Sequence, residues 1–239
     1  MVRSRITQIS FKAVYLLLML IGILDSLGAF TGTFFAEFYV FFTNQSNCIC
    51  FVIAAVELGI ATGALRRGEK AGFTSSAVLI HLKYLASVWI LLTCLVANVL
   101  LSSPFTAFYW SSISNPILHL LGPVMFILDY ILFTERGRVH AWSIPLVVCY
   151  PYLYIAFVYT RVTLLPSGYE GITYPYFFLD PRPSEEAGSM GSVGSPGMVV
   201  LWVTILTGIF LAFAALLYFC NRIEIKKQKL EVAESQKKE

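Results

Sequence analysis

Side chains able to do chemistry are few in this chain, and most of them fall inside or against long apolar runs. At one depth lie Asp25, the polar run Thr43-Asn44-Gln45-Ser46-Asn47, Asn98 and His119; at the other lie Lys83 and Asp129. A threonine hydroxyl is a weak nucleophile until a base takes its proton, and imidazole, whose ordinary pKa lies near neutrality, suits that task. The polar run also reads as helix capping with interhelical hydrogen bonds, common work for Thr, Ser and Asn. Taken alone, His119 reads equally as a hydrogen-bonded core residue. No second histidine and no compact carboxylate cluster shares its depth, so neither a metal nor another cofactor is expected.

These groups need elements to position them. If a helix starts at the polar run, the 3.6-residue period puts Thr43, Asn47, Cys50, Ala54 and Glu57 on one stripe that faces protein. His119 stands in Asn115-Pro116-Ile117-Leu118-His119-Leu120-Leu121-Gly122-Pro123. Pro116 suits a first helical turn. Pro123 lacks the N–H that would bond the carbonyl four residues earlier, that of His119 itself, so a kink is expected beside the imidazole. Lys83 and Asp129 stand at a similar depth and are expected to pair, since an ion pair between helices removes the cost of two isolated charges in lipid. The aromatic run Tyr174-Pro175-Tyr176-Phe177-Phe178-Leu179-Asp180 reads either as an interfacial belt or as a segment that folds over the bundle mouth and delivers one carboxylate. Asn44-Gln45-Ser46 matches a glycosylation pattern but abuts the bilayer and is discounted.

The setting is a membrane. The chain has 239 residues, 57% hydrophobic and 13% charged, with mean hydropathy +0.73, whereas a soluble domain carries about 25% charged residues. Runs at about 11–30, 47–65, 77–101, 116–133, 141–159 and 198–221 are each long enough to cross a hydrocarbon core, which takes roughly 20 residues. They are too long and evenly apolar for barrel strands. The expected fold is all-α, a six-helix transmembrane bundle over 1–221 with a charged tail over 222–239. The first run reads as an anchor, not a cleaved leader. Fourteen of the 17 Lys and Arg, including Arg3, Arg5, Lys12, Arg66, Arg67 and Lys70, fall before the first span, in alternate loops or in the tail. Both termini are therefore expected in the cytoplasm, with the Thr43 end outside and the protein in the cell membrane. The formal charge of +3 reflects this topology and is no nucleic-acid signal. The five cysteines fall within spans and read as packing residues.

Phe42-Thr43 ahead of the second span, Asn115-x-x-x-His119 opening the fourth, and Tyr174-Pro175 with Phe178-Leu179-Asp180 ahead of the sixth resemble the androgen-induced and androgen-dependent six-pass proteins, threonine hydrolases of fatty acid esters of hydroxy fatty acids. The chain is more similar still to their bacterial relatives, the "Pr-six-Pr" integral membrane family. There a Phe-Thr-x-Gln-Ser-Asn stretch recurs with a His-x-x-x-Pro stretch ending in Leu-Asp-aromatic, here His119 to Pro123 and Leu128-Asp129-Tyr130. The resemblance covers about residues 10–220. It implies Thr43 as nucleophile, His119 as its base and a membrane lipid or fatty-acyl ester as substrate. Asn44, Gln45, Asn47 or backbone N–H groups would then stabilise the oxyanion, and Asp25 or Asp180 would orient the imidazole. Two alternatives stay open: an acyltransferase using the same acyl-enzyme, and a non-catalytic transport or scaffold protein with Lys83, Asp129, Asp25 and Glu57 along a path.

Overall fold

The computed structural model describes residues 4–69, 76–101, 104–188 and 190–236, with side chains at all of these except 108 and 223–236. Arg3, Lys70 and residues 237–239, which carry part of the expected charge asymmetry, lie outside the described residues. Six helices are long and apolar enough to cross a membrane: α1 (Arg5–Ser26), α2 (Phe42–Arg66), α3 (Ala77–Leu101), α4 (Ser114–Phe133), α5 (Ser143–Leu164) and α6, whose apolar part is Pro196–Arg222. There is no β-strand among the described residues.

Two starts differ from the apolar-run reading, for physical reasons. α1 begins at Arg5, where Ser4 Oγ accepts from the Thr7 N–H at 3.3 Å as an N-cap. In sequence the run starts at 11 because Lys12 reads as a solvated loop charge. Lys12 is instead fully buried within the helix and neutralised by Glu57 and Asp129, so it does not belong to the loop count. α1 also ends at Ser26 rather than near 30, and Gly28 at φ 82° turns the chain away. α2 begins at Phe42 instead of about 47, so the polar run becomes its first turns; Thr43, Asn47, Cys50, Ala54 and Glu57 are all buried on one stripe.

Two prolines break helical hydrogen bonding, and α3 repairs both breaks. Ahead of Pro123, α4 widens into a π turn at Ile117–Leu121. The carbonyl that Pro123 leaves free, that of His119, accepts from Asn98 Nδ2 at 2.8 Å. In α5 the helix is interrupted between Ser143–Leu146 and Cys149–Leu164. The carbonyl that Pro151 leaves free, that of Val147, accepts from Trp89 Nε1 at 2.7 Å.

α3 packs against α2, α4 and α6, while α1 lies between α2 and α4. The α1–α4 crossing is close: a Cβ on Gly22 would sit 2.5 Å from Ile117 Cγ2, and one on Gly122 would sit 2.4 Å from Met19 Sδ. One buried cluster, with Met19, Ile53 and Phe126, fills α1–α4. A second, with Tyr84, Tyr154, Phe178 and Phe210, joins α3, α5 and α6 to the segment before α6. Large apolar side chains such as Leu17, Val52, Leu153 and Phe219 are exposed on helix faces, as lipid contact requires. Cys50 packs in the core, but Cys149 and Cys220 lie on exposed faces and not in packing positions.

Candidate functional site

Thr43 occupies the first turn of α2, where helical N–H groups lack partners. Its own N–H donates to the Tyr176 hydroxyl at 3.2 Å, and its Oγ1 lies 3.4 Å from the same oxygen. Its carbonyl accepts from Ser46 Oγ at 3.0 Å and Asn47 Nδ2 at 2.8 Å. Asn47 Nδ2 also donates to the Leu118 carbonyl at 3.0 Å, which ties α2 to the π turn that carries His119. His119 and Thr43 stand on the wall of one cavity of about 570 Å³, together with Asp25, Asn44, Ser112 and Tyr176. They make no direct hydrogen bond to each other among the described residues. Thr43 Oγ1 meets Tyr176, and His119 Nδ1 is buried without a hydrogen-bond partner.

Thr43 and Tyr176 also border a second, narrow space of about 70 Å³, walled by apolar side chains including Leu92, Val96, Phe178 and Leu206. Tyr152, on the same wall, is exposed at the surface of the bundle. Thr43 thus lies between a vestibule whose wall mixes polar and apolar side chains and a narrow apolar slot bordered by the exposed Tyr152.

The other residues singled out in the sequence divide. Asn44 is on the vestibule wall, with its Nδ2 donating to the Phe38 carbonyl at 2.9 Å and its Oδ1 accepting from Ser26 Oγ at 3.4 Å. Gln45 is bound elsewhere, Nε2 to the Tyr39 carbonyl at 2.7 Å and Oε1 to the Tyr150 hydroxyl at 2.8 Å. Asp25 caps α4: its Oδ2 accepts from the Ser114 N–H at 2.7 Å and Ser112 Oγ at 3.1 Å. Asp180 is buried and clamped by Arg182, with Nη2 to Oδ2 at 2.6 Å and Nε to Oδ1 at 2.9 Å. Neither carboxylate bonds the imidazole.

What the aromatic segment brings over the bundle mouth is therefore a phenol and not a carboxylate. Tyr176 is buried, stacked on Phe178 with ring centroids 5.1 Å apart. Burial pushes its phenol above the ordinary tyrosine value, so it remains a protonated donor. The segment is latched by Glu37, which accepts from the Ile172 N–H at 2.8 Å, from Tyr169, and from Arg161 at 3.4 Å. Arg161 also donates to the carbonyls of Ile172 at 2.8 Å and Thr173 at 3.1 Å. Tyr176 was visible in sequence only as one aromatic among several; nothing local marks it as a partner of a residue 133 positions away.

At the opposite end four charges from four helices meet. Lys12 lies 2.5 Å from Glu57 and 2.7 Å from Asp129, and Lys83 lies 2.9 Å from Glu57 and pairs with Asp129. The Lys83–Asp129 pair is half of a neutral quartet. A cavity of about 230 Å³ with Arg5, Gln8, Glu57 and Arg67 on its wall reaches this end and shares no wall residue with the vestibule. Among the described residues no three His, Cys, Asp or Glu side chains are grouped to hold a metal.

The chain matches no family model, no curated protein and no solved structure with which it was compared.

Proposed function

We propose that the protein is an integral membrane lipid-ester hydrolase with Thr43 as nucleophile and His119 as base. The observation that carries this reading is the position of Thr43 and Tyr176 on the walls of both spaces, a vestibule that also holds His119 and a narrow apolar slot that would take the carbonyl end of an acyl chain. The resemblance of the Phe-Thr-x-Gln-Ser-Asn and His-x-x-x-Pro stretches to the Pr-six-Pr and androgen-induced hydrolases supports it from the sequence side. The charge asymmetry further supports cytoplasmic termini in the cell membrane, with the site at the outer boundary.

In this mechanism the acyl chain enters the slot and the ester carbonyl rests at Thr43. His119 takes the hydroxyl proton through one bridging water as Oγ1 forms a bond to the carbonyl carbon. The Tyr176 oxygen already accepts from the Thr43 N–H, so its own proton is available to the developing oxyanion. Collapse expels the alcohol, which takes the proton from His119. Water activated by the same imidazole then attacks the acyl-threonine and releases the fatty acid.

A second reading, acyl transfer, shares the first half-reaction and is favoured only by the hydroxyl-lined vestibule, where an alcohol can replace water. Labelled acyl donor distinguishes them, a new ester marking transfer and a free acid marking hydrolysis. For the hydrolase, purified protein in detergent micelles cleaves a long-chain 4-nitrophenyl ester, and Thr43→Ala or His119→Ala loses at least about 100-fold in rate, the usual contribution of a positioned base or nucleophile. Unchanged rates in both variants refute the reading.

A further inference from the structure

The slot beside Thr43, at about 70 Å³, has room for only the first carbons of a long acyl chain, so where it opens decides where the rest of the chain lies. Its wall is shared by α5, through Pro151 and Tyr152, and α6, through Leu206 and Thr207. The long part of α5, Cys149–Leu164, makes few close backbone approaches to the other helices and reaches its neighbours with tyrosine hydroxyls. Tyr150 donates to Gln45 Oε1 at 2.8 Å, Tyr154 to the Val40 carbonyl at 2.9 Å and Tyr159 to the Leu179 carbonyl at 2.8 Å. Those three tie α5 to α2, to the segment before it and to the aromatic segment. Toward α6 a single hydrogen bond crosses among the described residues, between Tyr152 and Thr207 Oγ1 at 3.1 Å. Thr207 gives its own proton to the Val203 carbonyl at 2.7 Å, so Tyr152 is the donor.

The seam between α5 and α6 is thus the least fastened boundary of the slot, and it meets lipid, because Tyr152 is exposed on a spanning helix. α5 is also interrupted beside it, with Val148 and Pro151 on the slot wall. We infer that the ester reaches Thr43 sideways from the bilayer, its acyl chain threaded through the α5–α6 seam past the Tyr152–Thr207 contact, with the first carbons in the slot and the tail still in lipid. This rests on the hydrolase reading above. Methylenes that stay among lipid tails gain nothing from added length, since the tails are as apolar as any side chain that could replace them. The site therefore takes esters of long acyl chains held in the membrane and does not measure how long those chains are.

The test uses the full chain in nanodiscs. Wild-type protein is given the 4-nitrophenyl esters of dodecanoate, palmitate and arachidate at one mole fraction in the bilayer, and the expected rates agree within about threefold. A second arm fills the seam with Thr207→Trp, and Val203→Trp, one turn earlier on the same wall, guards against a variant that does not fold. In each folded variant the kcat/KM for the palmitate ester, divided by that for 4-nitrophenyl butyrate, whose short chain needs no seam, falls at least about tenfold from the wild-type ratio, as loss of remote binding requires. A smaller fall in the folded variants, or wild-type rates that differ by more than threefold along the length series, overturns this inference, and continued cleavage of the butyrate leaves the hydrolase reading standing. Failure of the wild-type protein to cleave any of the four esters overturns the hydrolase reading and this inference together.

Discussion

Asn98 Nδ2 donates to the carbonyl of His119 at 2.8 Å, and that carbonyl is the one Pro123 strips of its helical partner. The imidazole is thus carried on a widened turn whose loose backbone is pinned from α3 by Asn98 and from α2 by Asn47 at Leu118. Asn98→Leu leaves the carbonyl buried and unpaired, which costs about 1–3 kcal/mol. A lower unfolding midpoint in detergent is expected, accompanied by a fall in esterase rate. Wild-type values of both would show that the contact pins nothing.

The buried quartet predicts non-additive stability. Lys83→Met strands two carboxylates beside a single lysine, and breaking a buried pair costs about 3–5 kcal/mol. Lys83→Met combined with Asp129→Leu restores neutrality among Lys12 and Glu57, so the double variant is more stable than the sum of the two single losses. Thermal denaturation of the four proteins closes the cycle, and strict additivity contradicts the coupling.

Tyr176→Phe removes the phenol but keeps the ring that stacks on Phe178. Loss of an oxyanion donor costs about 10²–10³ in kcat, and KM changes little because the slot is intact. Burial raises the phenol's pKa, so its contribution to stability is fully present below the unfolded value of about 10 and is lost as pH rises through the higher folded value. Wild-type unfolding free energy therefore falls more steeply above about pH 10 than that of Tyr176→Phe. Parallel slopes would place the titration elsewhere.

Arg161 holds the backbone at Ile172 and Thr173 and meets Glu37, so it fixes the segment that delivers Tyr176. In Arg161→Met the segment loosens. Faster cleavage by added protease between 165 and 180 is expected, together with a reduced kcat. Wild-type proteolysis with full activity would mean that the latch does not position Tyr176.

Much of the bundle was legible because lipid demands long apolar helices, and a proline inside a span marks a carbonyl that needs a partner. Pro123 pointed to His119 by the i−4 rule alone. The partners themselves were not legible, because Asn98 and Trp89 are set by how α3 lies between its neighbours and not by any local spacing. Lys12 misled for a related reason: in sequence a lysine beside an arginine-bearing terminus looks solvated, and only the packing of α1 against α2 and α4 reveals Glu57 and Asp129 beside it. Thr43 and His119 stood out as polar groups where polarity is expensive. Tyr176 did not, since it is one of 13 tyrosines in the chain.

The central claim is that Thr43 becomes acylated. A long-chain fluorophosphonate, which forms an O–P bond to an activated hydroxyl and expels fluoride, captures the nucleophile that such acylation requires, and intact-mass spectrometry with peptide mapping of the purified protein reads where it sits. A single adduct mapping to the peptide that contains Thr43, absent in Thr43→Ala and strongly slowed in His119→Ala, is the predicted result. Equal labelling of Thr43→Ala, or an adduct on any other residue, would contradict the account.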